Sequence, residues 1–351
     1  MKEFITGIQQ VGIGVTDAEE AKHLYKDLFG MDVLIFEDKA AASLMTDYTG
    51  NEIHHRHAIL SLNISGGGGF EIWQYTSRKA EHPFNAARLG DLGIFAVKIK
   101  SENVAAAHKH FSKNQSVKIS ALMAAPFGRP HFWLTDSYGN HFNIIETTEH
   151  FKTGKSICGG VVGAVIGVSD MDKAVAFYTK VLGINEVEYI NEAAVHDVPA
   201  GEVQGGVFKR ALIKKRVGSH GAFSKLLGSV QIELVEARER KPEKIYANRY
   251  WGDCGFIHLC FDVLDMDALK SRSENEGYSF SIDSAHSFSM GSSAGRFCYV
   301  EDPDGTLIEL VETHKVPILK KMGWYLDIKK RKAGKPLPDW MIGMMALSKI
   351  K

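Results

Sequence analysis

The first residues after the N-terminus, ITGIQQVGIGV (5–15), mix apolar and polar positions with the alternating period of a strand. The period then lengthens. Across AEEAKHLYKDLFG (18–30) the apolar residues fall at helical spacing. Thr16 stands where a helix N-cap belongs, an acidic first turn follows, and Gly30 is placed to stop the helix. The whole pattern returns in AVIGVSDMDKAVAFYTKVLG (164–183), with Ser169 as the N-cap and Gly183 as the stop. Asp17, Tyr25 and Gly30 recur 153 positions later as Asp170, Tyr178 and Gly183.

A second pair of segments repeats in the same way. GDLGIFAVKIK (90–100) matches GDCGFIHLCFD (252–262), and FWLTDSYGNHFNIIE (132–146) matches CYVEDPDGTLIELVE (298–312). DSYG and DPDG are turn sequences between alternating strands, the signature of a hairpin. The chain therefore reads as four units, each a strand, a helix and several strands, beginning near residues 6, 90, 160 and 252. In sequence order they fill two halves, 1–150 and 158–315, and leave an extension over 316–351.

Composition adds bounds rather than chemistry. With 351 residues, 44% hydrophobic and 24% charged, the chain has apolar material for more than one core. A formal net charge of zero gives no pull toward nucleic acid or an anionic membrane. Cys158, Cys254, Cys260 and Cys298 form no CxxC pair and read as reduced or buried thiols of a cytoplasmic protein. No signal-peptide core and no run long enough to span a bilayer is present. The extension is basic, through Lys320, Lys321, Lys329, Lys330, Arg331, Lys332 and Lys335, and is interleaved with Trp324, Tyr325 and Trp340. That mixture suggests docking on the body or on another subunit, so monomer and homodimer are both expected states.

Four βαβββ units that open with V(T/S)D and a tyrosine before LG or FG, and close with DPDG…ELVE, resemble the vicinal-oxygen-chelate superfamily. This is the group of glyoxalases, bleomycin resistance proteins and extradiol dioxygenases, and the resemblance covers about residues 5–315. It implies an α+β fold in which pairs of units curl into two half-open mixed-sheet barrels. It also implies one divalent metal, held by inward-facing residues on the first and last strands of two paired units. By the alternation of strand faces, those positions are Gln10 and Glu71, Ala96 and Asn143, Gly163 and Glu233, and His258 and Glu309.

Pairing decides which of them meet. Consecutive pairing offers Gln10, Glu71, Ala96 and Asn143 in one barrel, and Glu233, His258 and Glu309 with an empty Gly163 in the other. Crosswise pairing gathers Gln10, Glu71, His258 and Glu309 and leaves Ala96, Asn143, Gly163 and Glu233 together. The crosswise reading is preferred, because its full set is similar to that of glyoxalase I enzymes. One imidazole with oxygen ligands suits Zn, Ni, Co, Mn or Fe.

Each position also has a plainer reading. His258 inside a strand could be a satisfied core histidine, Glu71 an edge-strand residue, Gln10 a backbone partner and Glu233 a hydrogen-bonded strand residue. Glu309, on an apolar strand, is costly to bury without a cation. His55 and His57, in IHHRHAIL, read as a polar strand face, His131 and His141 as packing or pocket residues, and Gly66–Gly69 as a hairpin loop rather than a phosphate cradle.

The resemblance implies a metal-dependent lyase or isomerase acting on a small α-oxo or α-hydroxy carbonyl compound, with Glu309 moving the proton. A ring-cleaving dioxygenase is the first alternative, but those relatives use two histidines and one carboxylate, and Gln10 or Gly163 stands where the second histidine belongs. A metal-free protein that binds a drug or metabolite is the second. No arginine set reads as a clamp for glutathione.

Overall fold

The computed structural model describes the chain except residues 1–2, 127, 155, 200, 202, 204–205, 217, 219, 286–287, 291–292, 320–323, 329, 332–333 and 351. Lys320, Lys321, Lys329 and Lys332 of the basic extension therefore lie outside the described residues.

Unit 1 comprises β1 (Ile5–Gly14), α1 (Ala18–Phe29), β2 (Val33–Ala41), β3 (His55–Leu62) and β4 (Gly69–Tyr75). Unit 2 comprises β5 (Gly93–Ser101), α2 (Val104–Phe111), the short β6 (Lys118–Ile119) and β7 (Met123–Ala124), then β8 (Pro130–Thr135) and β9 (His141–Glu146). Unit 3 comprises β10 (Val161–Gly167), α3 (Met171–Ala176), β11 (Glu186–Ala194), β12 (Val207–Lys215), α4 (Ser224–Leu227) and β13 (Val230–Ala237). Unit 4 comprises β14 (Gly255–Val263), α5 (Met266–Asn275), β15 (Ile282–Asp283), β16 (Phe288–Met290), β17 (Ser293–Glu301) and β18 (Leu307–Leu319). β19 (Trp324–Asp327) and α6 (Asp339–Met344) follow.

The fold is α+β, with two mixed sheets. One has the order β15-β17-β18-β14-β1-β4-β3-β2, the other β11-β12-β13-β10-β5-β9-β8-β6. Units 1 and 4 thus share one sheet, and units 2 and 3 share the other. The halves 1–150 and 158–315 follow the sequence repeat, and the sheets cut across them. In each unit the first strand runs parallel to the last, as in β1 beside β4 and β14 beside β18. The seam between units 1 and 4 is antiparallel, with Gln10 opposite Cys260 and Gly12 opposite His258.

Consecutive units meet instead through their helices. The Tyr25 hydroxyl of α1 donates to Asp136 in the DSYG turn of unit 2 (2.9 Å), and Tyr178 donates to Asp302 in the DPDG turn of unit 4 (3.1 Å). Around Tyr25 the aromatic core continues from one sheet to the other. The Phe29 ring lies 4.7 Å from Phe142, and Phe142 lies 5.5 Å from Phe256, all fully or nearly fully buried. Truncation of such a residue to alanine typically costs about 3–5 kcal/mol, so this shared core ties the two sheets into one cooperative body.

Helix starts differ from the expectation by one residue. Asp17 and Asp170 are the N-caps, each accepting from two backbone N–H groups, in place of Thr16 and Ser169. A carboxylate is favoured there because it meets the positive end of the helix with a full charge. Gly30 (φ 66°) ends α1 in the left-handed region, as expected for a C-cap glycine.

The glycine run 66–69 is a hairpin loop between β3 and β4, and Gly68 exchanges two backbone hydrogen bonds with Val161 at 2.8 Å. All four cysteines are free and buried. The extension docks on the body: Leu34 N–H donates to Ser348 and Ile350 N–H donates to Asp32, both at 2.8 Å. Leu337, Ile342 and Met345 pack into one apolar cluster with Val33, Leu62 and Phe223. Among the described residues, no helix is long and apolar enough to cross a membrane.

Candidate metal centre

β18, β14, β1 and β4 are four adjacent strands in the middle of the first sheet. Each contributes one inward side chain, and Glu309, His258, Gln10 and Glu71 converge there, all buried. Ligand atoms of Glu71, His258 and Glu309 lie within 4.8 Å of one another. His258 Nε2 is 3.1 Å from Glu309 Oε2 and 3.4 Å from Glu71 Oε2. Gln10 Nε2 bridges the two carboxylates, donating to each at 3.2 Å.

Two further residues hold this arrangement. The Tyr299 hydroxyl sits 3.2 Å from His258 Nδ1, fixing the ring so that Nε2 faces the carboxylates. Gly12 clears the other side, since a Cβ there would lie 2.4 Å from His258 Cε1. Only glycine lets β1 pass so close to the imidazole.

The electrostatics of the cluster ask for a cation. Burial disfavours the His258 imidazolium, yet Glu309 and Glu71 outweigh it and lift the ring to about 9. Burial likewise pushes the Glu309 carboxyl upward, and His258 overcomes this to hold it below the ordinary carboxylate value. Two carboxylates against one imidazolium leave a net negative charge largely buried at the floor of a cleft, a costly state that a positive ion would relieve. One buried ligand-type atom of the cluster, Gln10 Oε1, is also without a hydrogen-bond partner. A half-turn of the Gln10 amide would present that oxygen to an ion between the carboxylates. The residues present therefore fit a divalent metal.

The four other positions do not. Ala96 is buried in an apolar cluster. Asn143 Nδ2 is 2.7 Å from His131 Nδ1. Gly163 has no room for a side chain, because a Cβ would lie 1.9 Å from the Gln231 carbonyl oxygen. Glu233 is already saturated by Lys98 (2.5 Å), Arg210 (2.8 Å from Nε) and Tyr189 (3.2 Å). Although burial opposes it, Arg210 and Lys98 keep this carboxyl far below its ordinary value.

His57 and His141 have ordinary partners. His57 Nε2 lies 3.0 Å from Glu37 and 4.0 Å from Glu19, but Lys22 already pairs with both acids. His141 Nδ1 pairs with the Thr135 hydroxyl at 3.0 Å. Sequence reading passed over Tyr299, which reaches His258 from two strands away, and the pair that occupies Glu233, Arg210 on the neighbouring strand and Lys98 two strands away.

Above the centre opens a cavity of about 450 Å³, with Gln10, Glu71 and Glu309 on its floor and Phe36, Trp73 and Trp251 among its walls.

Comparison with known proteins agrees with this architecture. Residues 160–310 match the family model described as the Glyoxalase/Bleomycin resistance protein/Dioxygenase superfamily. A solved structure from Bacillus subtilis, named a candidate dioxygenase, is similar with a TM-score of 0.57 at 15% identity, covering 89% of this chain and 86% of that one. Glyoxalase I from Zea mays is similar with a TM-score of 0.52 at 14% identity, covering 87% of this chain and 92% of that one. Among curated proteins, no sequence matches. At such identities the structural likeness speaks for the fold, over nearly nine tenths of this chain, and the family model matches unit 3 and most of unit 4.

Proposed function

We propose that this protein is a metal-dependent lyase or isomerase acting on a carbonyl compound with a second oxygen on the adjacent carbon. One observation carries the reading: a buried Gln10, Glu71, His258 and Glu309 cluster, short of positive charge, at the floor of a cavity large enough for a small molecule. Glu71, His258 Nε2, Glu309 and the Gln10 amide oxygen would hold the ion. The bound metal supplies Lewis acidity that polarises the carbonyl and stabilises enediolate charge.

The chain's own groups do the rest. Glu309 lies on the cavity floor within the cluster, so it is the base that takes the proton from the α-carbon and returns it to the neighbouring carbon or oxygen. Tyr299 holds the His258 ring in orientation, and the apolar walls keep water from the reacting atoms. Within the cluster His258 is the one imidazole among the described residues, which speaks against the two-histidine site of ring-cleaving dioxygenases.

The test is elemental analysis of protein purified without chelators, followed by isomerase and lyase assays on α-oxo and α-hydroxy carbonyl compounds. One equivalent of metal is expected in wild type, with metal and activity lost in Glu71→Ala and Glu309→Ala. A wild type that holds no metal when offered Zn, Ni, Co, Mn or Fe would overturn the reading in favour of a metal-free binding protein.

A further inference from the structure

We infer that the cavity above the metal centre selects a substrate with an uncharged, apolar body, and that the C-terminal extension builds part of the wall that selects it. The inference rests on the metal-centre reading for the substrate's oxygen-bearing head, and not for its body.

The first observation is a charge balance. Among the described residues that line the cavity, the charged ones are Asp38, Arg56, Glu71 and Glu309. Arg56 is the one cation, and it is committed. Its Nη2 donates to Asp38 Oδ2 and its Nη1 to the Asp38 backbone carbonyl, both at 3.1 Å, while the guanidinium lies 4.8 Å from the centre of the Trp73 ring. A divalent ion would balance Glu71 and Glu309. Among the described residues the loaded cavity then sums to zero and has no unmatched cation to receive a carboxylate or phosphate. An anionic substrate would be stripped of water without a partner, at a cost no apolar contact repays.

The second observation is where the wall comes from. Beyond the floor, the cavity is lined by Leu60 and Leu62 of β3, Leu226 of α4, Val316 of β18 and Met345 just after α6. Val316, where β18 of unit 4 runs on into the extension, and Met345 lie past the fourfold repeat, and α4 comes from unit 3, whose strands belong to the other sheet. The extension and a helix of unit 3 thus roof a site built from units 1 and 4. The extension is held there by the Leu34–Ser348 and Ile350–Asp32 backbone hydrogen bonds, so Met345 is a fixed part of the cavity. Methionine's flexible thioether suits it to line an alkyl or aryl group of irregular outline.

The test uses metal-loaded protein and two neutral oxygen chelators, acetohydroxamic acid and octanohydroxamic acid, titrated by calorimetry. The longer chain is expected to bind at least about tenfold more tightly, since each buried methylene adds to affinity. Met345→Trp should erase that gain while acetohydroxamic acid affinity and metal content stay as in wild type. Ala40→Trp fills the same cavity from β2 and serves if Met345→Trp fails to fold. Octanamide, which carries the chain without the chelating head, is titrated into metal-free protein by tryptophan fluorescence. It should bind wild type and not Met345→Trp, whatever the fate of the metal reading. Equal affinity for the two hydroxamic acids, or a chain-length gain that survives both substitutions, overturns the inference. So does tighter binding of the carboxylate-bearing N-hydroxysuccinamic acid than of acetohydroxamic acid. Failure of acetohydroxamic acid to bind, with octanamide still bound, would instead strike the metal reading alone.

Discussion

The two half-barrels occupy one another's register and reach opposite solutions to the same buried acid. Glu71 and Glu233 stand at equivalent points, each next to its unit's first strand, opposite Gly12 and Val165 respectively. On the third strand, Leu60 faces Glu71 and Leu212 faces Glu233, so Ala58 of one sheet corresponds to Arg210 of the other. On the partner unit's first strand, Cys260 beside Glu309 corresponds to Lys98 beside Asn143. Two small or neutral residues in one barrel are thus two cations in the other. Where Arg210 and Lys98 reach in, Glu233 is neutralised by the chain itself, and Asp197 completes the network through Arg210 at 2.6 and 3.0 Å. Where Ala58 and Cys260 stand, Glu71 and Glu309 are left with His258 and a cavity. A buried carboxylate needs a positive partner in both cases; the second barrel supplies it from the chain, and in the proposed reading the first takes it from a bound ion.

The comparison can be broken most strongly at the metal side. Glu309→Ala or His258→Ala should abolish metal retention, and activity on any substrate found should fall at least about a thousandfold, checked by elemental analysis and steady-state kinetics. At the other barrel, Arg210→Leu leaves Glu233 and Asp197 short of a partner. A loss of about 3–5 kcal/mol in unfolding free energy is expected from denaturant titration, with metal content unchanged. Glu233→Gln should also destabilise at neutral pH. The folded Glu233 carboxyl sits below its unfolded value, so its contribution is present above the ordinary carboxylate range and fades only as pH falls through the depressed folded value.

Smaller effects sharpen the contrast. Gly12→Ala drives a methyl group into His258, and metal affinity should weaken by roughly 10–100-fold, as when a ligand's supporting contacts are disturbed. Metal affinity should also depend on pH in a definite direction. His258 ligates as the neutral ring but without metal titrates at about 9, so below that pH binding must expel a proton. Affinity measured with a competing chelator is expected to rise by up to about tenfold per pH unit toward pH 9 and then level off. Last, Ala96→His should recruit no second metal, because Lys98 and Arg210 keep Glu233 occupied.

Much of this was legible in the sequence because repetition carries positional information. The offset of 153 between Asp17 and Asp170 aligns strands whose inward positions can then be compared by alternation, and the clean division of ligand types pointed to the crosswise sheets. What escaped was whatever depends on contacts between strands. Lys98, Asp197, Arg210 and Glu233 are scattered over some 130 residues and share no motif, so nothing local marks them as a network. Tyr299 looks like an ordinary hairpin aromatic until β17 is placed against β18 and its hydroxyl meets the ring on β14. Met345 lies outside the repeat, where periodicity has nothing to say. The helix N-caps were read one residue early because Thr16 and Asp17 are both good caps, and only backbone geometry chooses between them.

The most direct measurement is an anomalous difference map from crystals of the metal-loaded protein, recorded at the absorption edge of the bound metal. One peak per chain is predicted, among Glu71, His258 and Glu309 with the Gln10 amide turned toward it, and none near Glu233. A peak beside Glu233 and His131, or an empty map at the Glu71–His258–Glu309 cluster in protein shown to contain metal, would contradict the assignment of the two barrels.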